Sequence, residues 1–285
     1  MSAVAVGAPH RSRGFAGAWA FARRNLLTVY TILGFAYLML PIGVVIAFSF
    51  NHPRGRFNYV WNGFTLDNWR YWDGVPGLRS ALVLSIEIGL LASLIATALG
   101  TLIALALVRY AFRGRGATNL LIFLPLSTPE IVLGASLLTL FGSGQISSIL
   151  PLGFWTILIA HVMFCISFAV VTVKARLIGF DRHLEEAAMD LGANEWTTFR
   201  KVTLPLIAPA ILASLLLCFA VSVDDFVVTY FNAGPKVTFP LFVWGVARVG
   251  APPQVNVIGS VIFIFAVTAM VANVLVQIRR GRSAA

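Results

Sequence analysis

The sequence predicts an all-α integral membrane protein with six membrane-spanning helices and both termini in the cytoplasm. Three observations carry that expectation. Hydrophobic residues make up 59% of the 285-residue chain and charged residues only 11%, against about a quarter charged in a soluble domain. The apolar residues gather in runs of about 20 or more, the length at which a helix crosses a bilayer. The Lys and Arg residues collect in short segments between those runs, as they do in cytoplasmic loops.

Taken in order, residues 1–25 are rich in Ala, Gly and Arg and read as a flexible cytoplasmic tail. The first span, 26–50, carries no charge and has Pro41 as a kink site. It is too long for the core of a signal peptide and lacks a small-residue cleavage pattern, so it reads as a retained anchor. Residues 51–79 hold Trp61, Trp69, Tyr71 and Trp72. Such rings favour the membrane interface, which predicts an extracytoplasmic loop lying on the bilayer. The second span, 80–108, contains Glu87 and is followed by a basic loop. The third, 117–141, contains Pro125, Pro129 and Glu130; a turn over 142–152 leads to the fourth, 153–173. A polar segment, 174–206, precedes the fifth span, 207–231, which contains Asp224 and Asp225. A loop bearing Pro and Gly runs to the sixth span, 257–278, and residues 279–285 form a basic tail. Residues 26–278 thus read as one transmembrane domain.

Orientation follows from the basic residues. Of the 21 Lys and Arg residues, only Arg54, Arg56, Arg70, Arg79, Lys236 and Arg248 fall on the side opposite the termini. That excess places both ends, and segment 174–206, in the cytoplasm.

Several function classes are disfavoured. The net charge of +10 is spread over loops between spans, not gathered into a nucleic-acid surface. Cys165 and Cys218 lie inside apolar runs and read as small core residues, implying neither a disulfide framework nor a metal site. A phosphate loop needs Gly-Lys-Ser/Thr, and none of Lys174, Lys201 and Lys236 follows a glycine, so no ATP site of that kind is expected. His10, His52, His161 and His183 are scattered. His161, within a span, reads as a packed or hydrogen-bonded bundle histidine. No loop is long enough to bury a catalytic core of its own.

Two features remain that carry function. The first is the polar stretch 181–205, with Glu186-Ala187-Ala188, then Gly192, then Val202-Thr203-Leu204-Pro205. It reads as helix, break, helix, stop. Asp181 can cap the first helix, along one side of which lie Leu184, Ala187, Ala188 and Leu191. Gly192 supplies a left-handed turn or a close approach. Asn194 can cap a second short helix bearing Trp196, Phe199 and Val202, limited by Pro205. The exposed face carries Glu185, Glu186, Asp190 and Glu195. Those acids are unfavourable against an anionic leaflet, so a protein partner is expected instead.

The second feature is acid within the spans. A carboxylate deep in a transmembrane helix costs about 2.5–3.5 kcal/mol on insertion scales, and such residues usually face a cavity or a partner. Glu130 lies near the middle of the third span, and Asp224 and Asp225 in the outer half of the fifth, beside Phe226, Tyr230 and Phe231. Those spans contain no Lys or Arg, so a cationic ligand would be the compensating charge, with the rings adding cation–π attraction. The competing reading is that an acid is protonated or caps a kinked helix. For the Asp224-Asp225 pair a cavity role is favoured, without deciding which acid faces inward.

The spacing of Glu186-Ala187-Ala188, Gly192, Leu204 and Pro205 resembles the signature loop of permease subunits in binding-protein-dependent ABC importers; Val202 stands where isoleucine is commoner. Phe64 to Trp69, Arg109-Tyr110, Pro129-Glu130-Ile131-Val132, Ser222 to Val228 and Gly234-Pro235 extend the resemblance toward the second permease of spermidine/putrescine importers. The resemblance implies the type I importer permease fold, with segment 174–206 as coupling helices docking on an ATPase subunit. It implies two copies of that ATP-binding subunit, a second homologous permease and an extracytoplasmic substrate-binding protein. ATP and Mg would be held by the partner ATPase and no cofactor by this chain, which is not itself an enzyme. Glu130, Asp224, Asp225, Phe226 and Tyr230 would line the path of a polyamine. An importer for an aminophosphonate, iron or a sugar is the alternative of the same class. An intramembrane aspartyl protease is more distant, because adjacent helix residues point about 100° apart and cannot share a proton across a cleft.

Overall fold

The computed structural model describes the chain from Arg13 to Arg282, residue 56 excepted. Its helices, in chain order, are α1 (Arg13–Ser49), α2 (Asp67–Arg70), α3 (Leu78–Arg109), α4 (Arg115–Ser127) and α5 (Glu130–Phe141). They continue with α6 (Gly144–Ile149), α7 (Phe154–Ile178), α8 (His183–Asp190) and α9 (Glu195–Thr198). A π-helical turn (Phe199–Thr203) leads into α10 (Leu204–Asp224), followed by α11 (Val227–Asn232), α12 (Phe239–Ala247) and α13 (Pro253–Arg282). The described residues contain one isolated β-bridge, Asn51 to Phe64. Four of the helical stretches are long and apolar enough to cross a membrane, and five if one bent pair counts as a single span.

Local chemistry explains where the expected spans break. The third is two helices, α4 and α5, meeting at 107°. A residue before proline is driven out of the helical region, and Thr128, preceding Pro129, is extended with ψ 132°. The fifth also breaks: α10 ends at Asp224, Asp225 is extended with ψ 121°, and the helix resumes at Val227. Pro205, by contrast, stops nothing. The helix passes through it because the preceding residues widen into the π turn, where the Leu204 N–H reaches back to the Phe199 carbonyl. A proline ring crowds the carbonyl four residues earlier, and such a widened turn accommodates the distortion. The expected loops are also more ordered than their composition suggests: α6 lies within 142–152, α12 within 232–256, and α1 already covers residues 13–25 of the expected tail. Residues 1–12 and 283–285 of the tails lie outside the described chain.

The described chain divides into two compact units, α1, α2 and α13 in one and α3 to α12 in the other. In the first unit, α1 packs against α13. The last carbonyls of a helix lack intrahelical partners, and here asparagines satisfy them. Asn58 donates to the Phe48 carbonyl at 2.9 Å and Asn68 to the Ser49 carbonyl at 3.0 Å. The segment after α1 is therefore stitched to its end, with Phe50 stacked between Phe64 and Trp69. Trp61 and Tyr71 remain exposed.

The second unit is organised on α3, which packs against α7 and α10. Ala81, Ser85, Gly89, Ala92, Ala96, Gly100 and Ala104 recur at spacings of three and four along its buried face. Within a bilayer, small residues allow helix backbones to approach, and dispersion then holds them together. Gly100 is obligatory at the α7 crossing, since a Cβ there would lie 2.5 Å from the Ala169 Cβ. Cys165 of α7 and Cys218 of α10 are free and buried, and each thiol donates to the other's carbonyl, at 3.6 and 3.4 Å.

Candidate functional site

The two helix breaks of the second unit open on one cleft. It has a volume of about 360 Å³ and is lined by Glu130, Asp224, Asp225 and the rings of Phe164, Phe168 and Phe226. Each break places an acid at a helix start or end. Glu130 is the first residue of α5, where the N-terminal end of the helix dipole favours negative charge. Asp224 is the last residue of α10 and Asp225 the residue that follows it. Thus Glu130 is brought together with the consecutive residues Asp224, Asp225 and Phe226, far from it in sequence. Tyr230 is not a cleft wall; it is 60% exposed and packs against Phe226 at 5.7 Å between ring centroids.

The adjacent aspartates have different surroundings. Asp224 is exposed and makes no salt bridge among the described residues. The Asp225 side chain is 6% exposed and bound on several sides. Its Oδ2 accepts from the Thr229 backbone N–H and from the Thr229 hydroxyl, both at 2.8 Å, and its Oδ1 from the Val228 N–H at 3.4 Å. The carboxylate therefore caps α11, supplying acceptors to a helix start that lacks them. His161 of α7 stands beside it, with Nε2 3.3 Å from Asp225 Oδ2 and 2.9 Å from Thr229 Oγ1. The other ring nitrogen, Nδ1, lies 2.6 Å from Ser222 Oγ. With Nε2 donating toward the carboxylate, Nδ1 accepts the Ser222 hydroxyl. A buried carboxylate is tolerable only with such donors. This network is unlike two carboxylates sharing a proton.

The network also shows what composition concealed. Counting Lys and Arg alone left the intramembrane acids without a partner, whereas Asp225 has one in His161. The signal was present as a histidine in one span, an acid in another, and hydroxyls at Ser222 and Thr229 flanking that acid at helical spacing.

A second region, from Asp181 to Pro205, forms a knob. Asp181 accepts from the His183 N–H at 3.0 Å, and Asn194 from the Thr197 N–H at 2.8 Å. Between them Gly192 has φ +86°, the left-handed conformation that favours glycine. A Cβ there would meet nothing within 4 Å, so the conformation alone requires the glycine. Glu186 and Ala187 are exposed, Ala188 half-buried, Leu204 half-buried and Pro205 exposed. The apolar side of the knob faces outward, with Leu191 90% exposed and Trp196 69% exposed.

Glu185 departs from its expected place on the exposed face: it is buried. Both its oxygens accept from the Arg109 guanidinium at the end of α3, and one also accepts the Thr203 hydroxyl in the π turn. Burial acts to raise the Glu185 pKa, but hydrogen bonds from Arg109 and Thr203, with the charges of Arg109 and Arg182, hold it below the ordinary carboxylate value. Glu185 thereby joins α8, α3 and the root of α10. Helical periodicity had not distinguished it from Glu186.

Comparison with known proteins identifies the chain's relatives. Residues 89–282 match the family described as the inner membrane component of binding-protein-dependent transport systems. The spermidine/putrescine transport system permease protein PotC of Haemophilus influenzae is 37% identical over 259 residues, covering 90% of this chain and 97% of that one. PotC of Escherichia coli K12 is 39% identical over 243 residues, covering 85% and 90%. The putrescine transport system permease protein PotI of the same organism is 37% identical, covering 82% and 84%. A solved bacterial ABC transporter involved in import of the acidic polysaccharide alginate shares the fold with a TM-score of 0.58 at 18% identity, covering 95% of this chain and 99% of that one. The alginate transporter in complex with its pentasaccharide-bound periplasmic protein gives 0.61 at 18% identity, covering 89% and 93%. The chain belongs to the inner-membrane component family of binding-protein-dependent transport systems.

Proposed function

We propose that the chain is one permease subunit of an ABC importer carrying polyamines, spermidine and putrescine being the substrate class. The observation that carries this reading is the cleft: exposed acids at Glu130 and Asp224, phenylalanine rings around them, and no Lys or Arg in its lining. A linear polyammonium cation is complementary to such a surface, through charge and through the faces of the rings. Relatives named for spermidine and putrescine transport support the same substrate class.

In this reading the chain crosses the bilayer six times, the bent pair α4–α5 serving as one span and α13 as the last. Both termini and the knob lie in the cytoplasm, on the side to which the basic residues are biased. The knob, through Glu186, Ala187, Ala188 and Gly192, docks on an ATP-binding subunit present in two copies. A second homologous permease and an extracytoplasmic binding protein complete the assembly. ATP and Mg reside on the ATPase, and this chain catalyses no reaction of its own. Displacement of the knob passes through Glu185 to Arg109 on α3 and Thr203 on the π turn, and along α10, which begins at the end of the knob and ends at the cleft. ATP binding can bias alternate access only by stabilising one state over the other. The docked knob is where that difference enters.

The direct test is uptake by the assembled complex in proteoliposomes, with labelled spermidine offered against a labelled anionic solute such as an alginate oligosaccharide. ATP-dependent uptake of spermidine with exclusion of the anion is expected. Uptake of the anion, or no uptake of spermidine or putrescine by an active complex, contradicts the assignment.

A further inference from the structure

The aromatic cluster at the cleft extends beyond its walls. Phe226, a cleft wall, packs on one side against Tyr230, at 5.7 Å, and on another against Trp244 of α12, at 5.1 Å between centroids. Trp244 is 46% exposed. Its ring is engaged by a cation: the Arg248 guanidinium carbon lies over it, 4.5 Å from the Trp244 ring centroid. Arg248 is one α-helical turn beyond Trp244, at the end of α12, and makes no salt bridge among the described residues. Tryptophan is the best of the aromatic side chains for holding a cation over its face.

We infer that Trp244, with Phe226 and Tyr230, forms an ammonium-binding subsite continuous with the acid cleft, and that Arg248 is an internal cation which the substrate must displace from it. The inference rests on the polyamine reading above and adds to it a second station for the same molecule. A polyamine carries ammonium groups along a flexible chain. One of them can meet Asp224 and Glu130 while another lies among the rings. Two cations on one ring repel, so Arg248 and substrate ammonium exclude each other from Trp244. The Arg248 position therefore sets the apparent affinity of the subsite.

A double-mutant cycle in the reconstituted complex tests this, with the KM for spermidine read from binding-protein-dependent ATPase activity or uptake. Trp244→Leu, which stays apolar but loses the π face, should raise KM about fivefold, whereas Trp244→Phe should raise it less. Arg248→Gln should lower KM about threefold, and that gain should vanish in the Trp244→Leu background. Gel filtration of each complex separates these effects from failed assembly; Trp244→Phe and Arg248→Gln keep the test alive if Trp244→Leu does not assemble. Equal KM values for wild type, Trp244→Phe and Arg248→Gln overturn the subsite, as does an Arg248→Gln effect that persists without the Trp244 ring. A wild-type complex that ignores polyamines overturns instead the reading on which it rests. A wild-type complex that transports them, with variants unchanged, overturns the subsite alone.

Discussion

The chain holds two pairs of adjacent acids that do their work at opposite ends of α10, and in both pairs one member is buried while the other is exposed. At the knob, Glu185 is bound by Arg109 and Thr203 while Glu186 faces outward. At the cleft, Asp225 is bound by His161 and Thr229 while Asp224 faces outward. The buried acid fixes the local backbone and its neighbour is left exposed; in the proposed reading it is the exposed acid that meets the arriving partner or substrate. The compensation differs. Glu185 faces a permanent bidentate cation, whereas Asp225 relies on a histidine, a hydroxyl and the first N–H groups of α11. The knob is thereby a rigid handle, tied to two long helices by one side chain. The Asp225 anchor is built from weaker donors, at the place where a span is broken.

The largest stability effect expected from that contrast belongs to Glu185. Breaking a buried ion pair by removing one partner costs about 3–5 kcal/mol. Arg109 is 24% exposed, which points to the lower end of that range, so Glu185→Ala should lower the unfolding free energy by about 3 kcal/mol. Thermal unfolding of the purified subunit checks this. A loss below about 0.5 kcal/mol, the size of a plain surface change, would mean that the link is not an anchor. The same residue gives a pH signature. Its lowered pKa means that its contribution is fully present above the ordinary carboxylate value of about 4.3 and is lost as pH falls through the depressed one. The stability difference between wild type and Glu185→Gln should therefore hold from neutral pH to mildly acid conditions and close only under strong acid.

A smaller effect is expected at Gly192. Its left-handed φ costs a side chain roughly 1–2 kcal/mol, and the space around it is open. Gly192→Val should thus fold with a modest penalty while lowering substrate-stimulated ATPase activity in the complex; normal stimulation would remove the knob from coupling. Smallest of all in stability is Glu186→Gln, within about 0.5 kcal/mol of wild type, because its side chain is exposed and its one polar side-chain partner among the described residues is His183. Its effect should fall on binding of the ATPase subunit.

These pairs show where a sequence stops speaking. Apolar runs located the long helices, because hydropathy and length are properties of a segment alone. Thr128-Pro129 held a readable signal for the bend, yet hydropathy averaged over 117–141 is insensitive to a break in the middle. Gly192 and Asn194 were legible because a left-handed turn and an N-cap depend on local chemistry. Glu185 and Asp225 were not, since what distinguishes each from its neighbour is a residue on another helix: Arg109, 76 positions away, and His161 on α7. Adjacent helix positions point about 100° apart, and only tertiary packing decides which direction is inward. The π turn before Pro205 was hidden for a related reason. Proline is a stop signal in isolation, and the run through it is sustained by α10 packing on α3 and α7.

In the proposed reading Asp224 meets the cation while Asp225 holds the site. This division is tested most directly by spermidine transport in the reconstituted complex for Asp224→Asn and Asp225→Asn, with thermal unfolding measured on the same samples. Asp224→Asn should raise KM about tenfold or more with unfolding unchanged, and Asp225→Asn should lower stability by about 1–3 kcal/mol through the loss of a charged, buried acceptor. An Asp224→Asn complex with wild-type KM, or an Asp225→Asn subunit with wild-type stability and impaired binding alone, would contradict it.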